Sequence, residues 1–306
     1  MALSSLDLGE LVEDWTLLDE ERKQVGDKRG PARLGFTLLL KFYTRFGRFP
    51  PDRAELPDEA VDFVGRQVQV AAAELGFYEW SGRTIESHRA QIREHLGFRV
   101  CTVADAQLLT AWLAGEVCEQ ERQPDRVREE LLARCRAERI EPPPARRGER
   151  IVRSALRTGQ KRLTERIATR FDRSTVDRIV ALVADDVLDD GDQDAPPDGS
   201  EVRPVLAMIK QSPGNVSLET MLTEIDRLRA VRAIGLPAGL FDDVAPKIVD
   251  GWRARAAVEW PSHLREHPQP LRVTLLAALL YAREREITDT LVDLVPGRRR
   301  RSPRSW

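Results

Sequence analysis

Arginine at helical spacing is the chemistry this sequence offers most. In the stretch SGRTIESHRAQIREHLGFR, residues 81–99, four arginines and two histidines surround a short apolar stripe. Ile85, Ile92 and Leu96 share one face at about 100° per residue. Arg89 and Arg93, one turn apart, lie beside that face; Arg83 and Arg99 bracket it, and His88 falls among them. A guanidinium is permanently charged, and its fork of N–H donors matches phosphate oxygens and guanine edges. A helix that packs by one stripe and shows arginines beside it suits a nucleic-acid groove or phosphate track. An ordinary solvated helix carries the same pattern.

A second set of candidates lies downstream. Residues 122–170 hold 15 Lys/Arg against 7 Asp/Glu. Arg146, Arg147, Arg150, Arg153, Arg157, Lys161 and Arg162 are expected to track phosphates, more weakly than the first set. These cations read as recurring around their helix rather than along one stripe. Some are expected to pair with Glu129, Glu130, Glu149 and Glu165, which leaves a solvated face as the competing reading.

Other chemistries find little support. There is no GxSxG, GxxxxGK[ST], HExxH or GxGxxG motif, so no catalytic residue is assigned. His88 and His95 share a helix face, but a metal would need more than Cys101 beside them. Asp190, Asp192, Asp194, Asp198 and Glu201 follow calcium-loop spacing, yet Ala195 stands where glycine is needed and Pro196-Pro197 stiffen the loop. A solvated linker is the better reading, and neither a metal nor a cofactor is expected.

The elements that must position these residues read as helices. Residues 1–28 form one acidic helix with Leu8, Leu11, Val12, Trp15 and Leu18 on a stripe. Gly30-Pro31 starts a core helix, with Leu34, Leu38, Phe42 and Phe46 at spacing four and Gly47 as its cap. Residues 57–70 follow with Val61, Val64 and Val68 inward. Thr84 is the expected N-cap of the arginine-flanked helix and Gly97 its left-handed C-cap. Further helices are expected over 103–121, 124–140, 146–170, 175–188, 217–234, 246–260, 271–285 and 287–295. Asp172 and Ser174 stand as caps, and the 217–234 helix is strongly amphipathic. No strand is expected.

Composition bounds the rest. The 306 residues are 42% hydrophobic, 32% charged and 6% aromatic, with net charge −2. That describes a helical protein with a core and no global bias toward polyanions. Residues 185–201 hold eight acids and no base, and 296–306 hold five arginines and no acid. Three cysteines without a CxxC pair indicate no disulfide framework; they read as buried small hydrophobes in a reducing, cytoplasmic setting. No signal peptide is recognised, and the longest apolar run, 273–281, is too short for a bilayer.

Several blocks together resemble the N-terminal part of a Tn-three-family (class II, replicative, cointegrate-forming) transposase. They are GPARLGFTLLLKFYTRFGRFP (30–50), HRAQIREHLGFR (88–99), EIDRLRAVRAIGLP (224–237), KIVDGWRARAAVEWPSHLREHP (247–268) and LRVTLLAALLYAREREITDTLVDL (271–294). The likeness runs to about residue 295. It implies an all-α, multi-module helical bundle with helix-turn-helix-like modules that bind double-stranded DNA at transposon terminal inverted repeats.

In those terms 1–75 is a first DNA-binding module, 76–141 a second helix-turn-helix-like module, 146–188 a basic helical segment and 189–203 an acidic linker. Residues 204–295 begin the central helical region, and 296–306 form an aberrant Arg-rich tail. The family's magnesium-dependent Asp-Asp-Glu triad lies in a later domain, so Asp242, Asp243 and Glu259 are not read as a triad. The tail departs from the family pattern, and a frameshift or premature stop is the expectation it raises. A fragment that associates with itself or with full-length transposase is the alternative role, and no membrane partner is expected.

Overall fold

A computed structural model describes residues 6–184, 205–211 and 218–294. The fold is all-α, and the chain divides into two compact units: residues 1–113 with 124–154, and 114–123 with 155–306. The acidic run, its calcium-like spacing and the Arg-rich tail lie outside the described residues.

The first unit opens with α1 (Leu8–Trp15) and α2 (Asp19–Val25). The sequence reads as one helix here. The break has a partner: Gln67 takes the Leu17 N–H at 2.9 Å and donates to the Trp15 carbonyl at 3.0 Å. Leu11 and Trp15 are buried, whereas Leu8, Val12 and Leu18 face water. Helix α3 (Gly30–Phe46) is the core of the unit, with every residue from Leu34 to Tyr43 buried, and it ends on Gly47 in the left-handed conformation as expected. Its one buried cation, Lys41, pairs with Glu21 at 3.1 Å.

Helix α4 (Asp58–Val68) buries Val61, Val64 and Val68. Then come α5 (Arg83–Leu96), α6 (Val103–Trp112), which runs on into a π-helical turn at Leu113–Val117, and α7 (Pro124–Ala137). The 103–121 segment is thus not one uniform helix. Two-residue strands β1 (Arg99–Val100) and β2 (Ile140–Glu141) pair in parallel, Arg99 with Ile140 and Val100 with Glu141. They are too short to show alternation in sequence. Helix α8 (Ala145–Ala168) follows Pro142–Pro144, its residues divided between the two units.

The second unit adds α9 (Arg173–Ala181), capped by Asp172 through the Thr175 N–H, and α10 (Val205–Lys210). It continues with α11 (Leu218–Ala233), α12 (Pro246–Val258), α13 (Pro261–Glu266) and α14 (Gln269–Leu294). Helix α14 is the axis: Val273 to Leu280 are buried without exception, packed by α9, α11 and α12. The sequence divides α14 at Glu286. The helix continues because Glu286 pairs with Arg283 at 2.6 Å and with Arg253, and Ile287 is buried.

Helix α11 is turned relative to its sequence pattern. It buries Glu224, Arg227 and Val231, with Glu224 and Arg227 paired at 2.7 Å, while Leu222 is 59% exposed.

Candidate nucleic-acid interface

Helix α5 begins at Arg83 because Gly82 (φ 84°) bends the chain into it; Thr84 does not cap. Its first turn therefore carries free N–H groups beside the Arg83 cation. Gly97 closes the helix at φ 71°, as expected. The buried face is Ile85, His88 and Ile92, packed on α3.

His88 is corrected by this geometry. It is only 6% exposed; its Nδ1 lies 2.9 Å from the Tyr78 hydroxyl, and its ring meets Phe36 edge-on at 5.2 Å. Burial, aided by the Lys28 charge, pulls its pKa down to about 4. A neutral, enclosed imidazole does not reach a ligand on the surface. The Tyr78 ring lies so close to α3 that a Cβ on Gly35 would fall 2.4 Å from it, which is why glycine stands there.

Most of the first-choice arginines are committed within the fold. Arg89 lies over the Phe49 ring, 5.4 Å from its centroid, and donates to the Pro50 carbonyl at 3.2 Å. Arg93 pairs with Glu141 at 2.8 Å. Arg99 forks onto Asp105 at 2.5 and 2.8 Å. That fork and the Thr102 cap hold the Asp105 carboxyl well below the usual carboxylate range and raise Arg99. Arg83 is exposed and, among the described residues, has no ion pair. The face of α5 opposite its buried stripe carries Arg83, Ser87, Gln91 and Glu94, with Gln91 Nε2 3.3 Å from Ser87 Oγ. Ser87 and Gln91 carry no charge, so a search for arginine passes over them; their position opposite Ile85 and Ile92 was the available signal.

Helix α8 overturns the reading of cations scattered around it. Arg146, Arg150, Arg153, Arg157 and Lys161 are all exposed. Their steps of four, three, four and four keep them within about 80° on one face, over about 22 Å of helix. The opposite face is buried through Ile151, Val152, Ala155 and Gly159. A Cβ on Gly159 would fall 2.7 Å from Cys118 Cβ and 3.0 Å from the Ala114 carbonyl oxygen, so glycine lets α8 lie close against that segment. Along the stripe the one ion pair among the described residues is Lys161–Glu165, at 3.8 Å and solvent-exposed. Arg162 is exposed off the stripe, whereas Arg147 turns inward to the Cys101 and Thr102 carbonyls at 3.3 and 2.9 Å.

Much of the rest of the basic run is engaged within the fold. Arg126 pairs with Glu129, Arg128 with Glu149 and Arg166 with Glu119, while Arg122 donates to the Leu156 carbonyl and Gln160. All three cysteines are buried, and burial raises the Cys135 thiol to about 12. Among the described residues no group of His, Cys, Asp and Glu is placed to hold a metal ion. Asp243 is forked by Arg170, and Glu259 is held by Arg255 and His267. No helix among the described residues is long and apolar enough to cross a membrane.

A family model described as a domain of unknown function, DUF4158, matches residues 1–155. Over 287 residues the chain is 25% identical to the transposase for transposon Tn21 of Escherichia coli, covering 93% of this chain and 28% of that protein. It is 22% identical over 273 residues to the transposase for transposon Tn1546 of Enterococcus faecium, covering 87% and 26%. With the transposase for transposon Tn501 of Pseudomonas aeruginosa it shares 24% over 301 residues, covering 93% and 28%. The chain thus spans about a quarter of the length of the curated relatives it matches.

Proposed function

The chain belongs to the DUF4158 family, and from that membership, its transposase relatives and its exposed cations we propose that it binds double-stranded DNA at transposon terminal inverted repeats. The observation that carries this reading is the α8 stripe, five cations on one solvent face with a single weak internal pair. Evenly spaced cations opposite a buried face suit phosphates spaced along a duplex. Arg83 and the uncapped first turn of α5 add a phosphate contact of the kind helix N-termini make. Ser87 and Gln91 are the base-edge readers in this proposal, glutamine having the donor and acceptor that adenine needs. Arg89, Arg93 and Arg99 hold α5 and its neighbours in place. Strand cleavage is not assigned to these 306 residues.

The test is binding of the purified chain to its own terminal repeat and to a scrambled duplex, at several salt concentrations. A preference of about tenfold, or about 1.4 kcal/mol, with a steep salt slope is expected. Equal binding to both duplexes reduces the role to nonspecific attraction; no binding to either removes it.

One observation favours a second reading, association with another copy or with full-length transposase. The apolar side of α11 is turned outward, Leu222 being exposed with Met221 and Ile225 beside it half-buried or nearly so. Light scattering of the wild type and of Leu222→Glu is the check: a monomer in both cases leaves that reading without support.

A further inference from the structure

Within the first unit a groove of about 780 Å³ opens between the α3–α4 connection, α5, β1, α7 and the start of α8. Five arginines and two glutamates line it. Three of the arginines are neutralised: Arg48 by Glu55 at 2.6 Å, Arg93 by Glu141 at 2.8 Å, and Arg128 by Glu149 at 3.1 Å. The other two, Arg89 and Arg147, donate only to backbone carbonyls and have no carboxylate partner among the described residues. Arg89 Nε is buried and has no acceptor.

Between these charges the wall is apolar. Val100 and Leu132 line the groove while remaining open to water, with Phe49 and Leu131 behind them. Two proline runs, 50–51 and 142–144, make the rim stiff. Two guanidinia without carboxylate partners and an apolar wall, lining one cleft of small-ligand size, have a definite complement. It is a compact dianion attached to a body with an apolar face.

We propose that this groove binds a phosphate monoester on a nucleotide-sized body, with Arg89 and Arg147 taking the phosphate and Val100 and Leu132 taking the base. The guanidinium fork favours phosphate oxygens over a single point acceptor. A cleft of about 780 Å³ has room for a nucleotide rather than a length of duplex, so the ligand carries one phosphate. The phosphate comes either from a free mononucleotide or from the phosphorylated end of a single strand.

Calorimetry with the full chain separates the outcomes. The probes are adenosine 5′-monophosphate, adenosine, succinate, and a trinucleotide with or without a 5′-phosphate. Adenosine monophosphate is expected to bind at least tenfold more tightly than adenosine or succinate. Arg89→Gln and Arg147→Gln each lower that affinity about tenfold. Leu132→Glu, at an exposed position, blocks the groove without depending on the refolding of either arginine variant. Tighter binding of the 5′-phosphorylated trinucleotide than of the mononucleotide identifies a strand end as the source; the reverse identifies free nucleotide. Equal binding of adenosine or succinate, indifference to all three substitutions, or no heat at millimolar ligand overturns the proposal. Arg150→Gln, on α8 outside the groove, leaves nucleotide binding unchanged while flattening the duplex salt slope, so failure here is distinguishable from failure of the duplex reading.

Discussion

At the scale of single residues, the buried polar groups are where substitution reports most. His88 has a folded pKa of about 4 against an ordinary 6.5. As pH falls, the unfolded chain takes up the proton first. The stabilisation is therefore complete above about 6.5, declines through the interval, and is gone below about 4; it amounts to at most about 3 kcal/mol. Urea unfolding at pH 7.5 and 4.5 should show a larger loss for the wild type than for His88→Gln, and identical losses would exonerate the histidine. The buried Lys41–Glu21 pair is the second case. Lys41→Met strands a carboxylate in the core and should cost about 3–5 kcal/mol. Adding Glu21→Gln should restore most of that in a chemical denaturation curve, because glutamine still accepts the Leu18 N–H that Glu21 holds at 2.9 Å. Much of this was open to a reader of the sequence. The spacing of 85, 88 and 92 places His88 on the buried stripe, yet its residue type argued for the surface. Its partners Tyr78 and Phe36 lie 10 and 52 positions away, which no local pattern reveals.

At the scale of elements, periodicity located most of the helices and failed where a partner intervenes. Gln67 divides α1 from α2, and the pairs of Glu286 join what a local reading divides. Helix α11 turns its Glu224–Arg227 pair inward against its own apolar pattern, because Arg227 also reaches Gln211 at 3.0 Å. The α8 stripe went unread although the steps between its five cations carry it, because Arg147 and Arg162 in the same run fall off that face; which neighbours pair away is not written in any local spacing. Two elements yield different predictions. Replacing Arg150, Arg153, Arg157 and Lys161 of α8 with Gln should flatten the duplex salt slope by up to about 3–4 units, near 0.9 per lost phosphate contact. The same set should shift unfolding by no more than about 0.5 kcal/mol per site, since all four are exposed. Gln91→Ala on α5 should instead leave the salt slope alone and cost about 1–3 kcal/mol of discrimination between matched and mismatched repeats. Anisotropy titrations over a salt series read both quantities. An α8 set that lowers discrimination, or a Gln91 variant that changes the slope, would exchange the two assignments.

At the scale of the whole molecule, net charge and local charge point in opposite directions. The chain carries −2 overall, so global attraction does not bring it to DNA. At physiological salt, however, the Debye length is about 8 Å, well below the roughly 22 Å that the α8 stripe spans. Acidic groups more than a Debye length from that face are screened from a phosphate resting on it, and the stripe acts as its own local field. Arginine keeps its charge throughout the neutral range. His88, held near 4, takes little part in any change across that range. Duplex affinity should therefore vary by less than about threefold between pH 6 and pH 8 at constant salt, while falling steeply with added salt at either pH. If affinity instead weakens tenfold or more as the pH rises, binding follows the charge of the molecule as a whole, and the α8 stripe is not its seat.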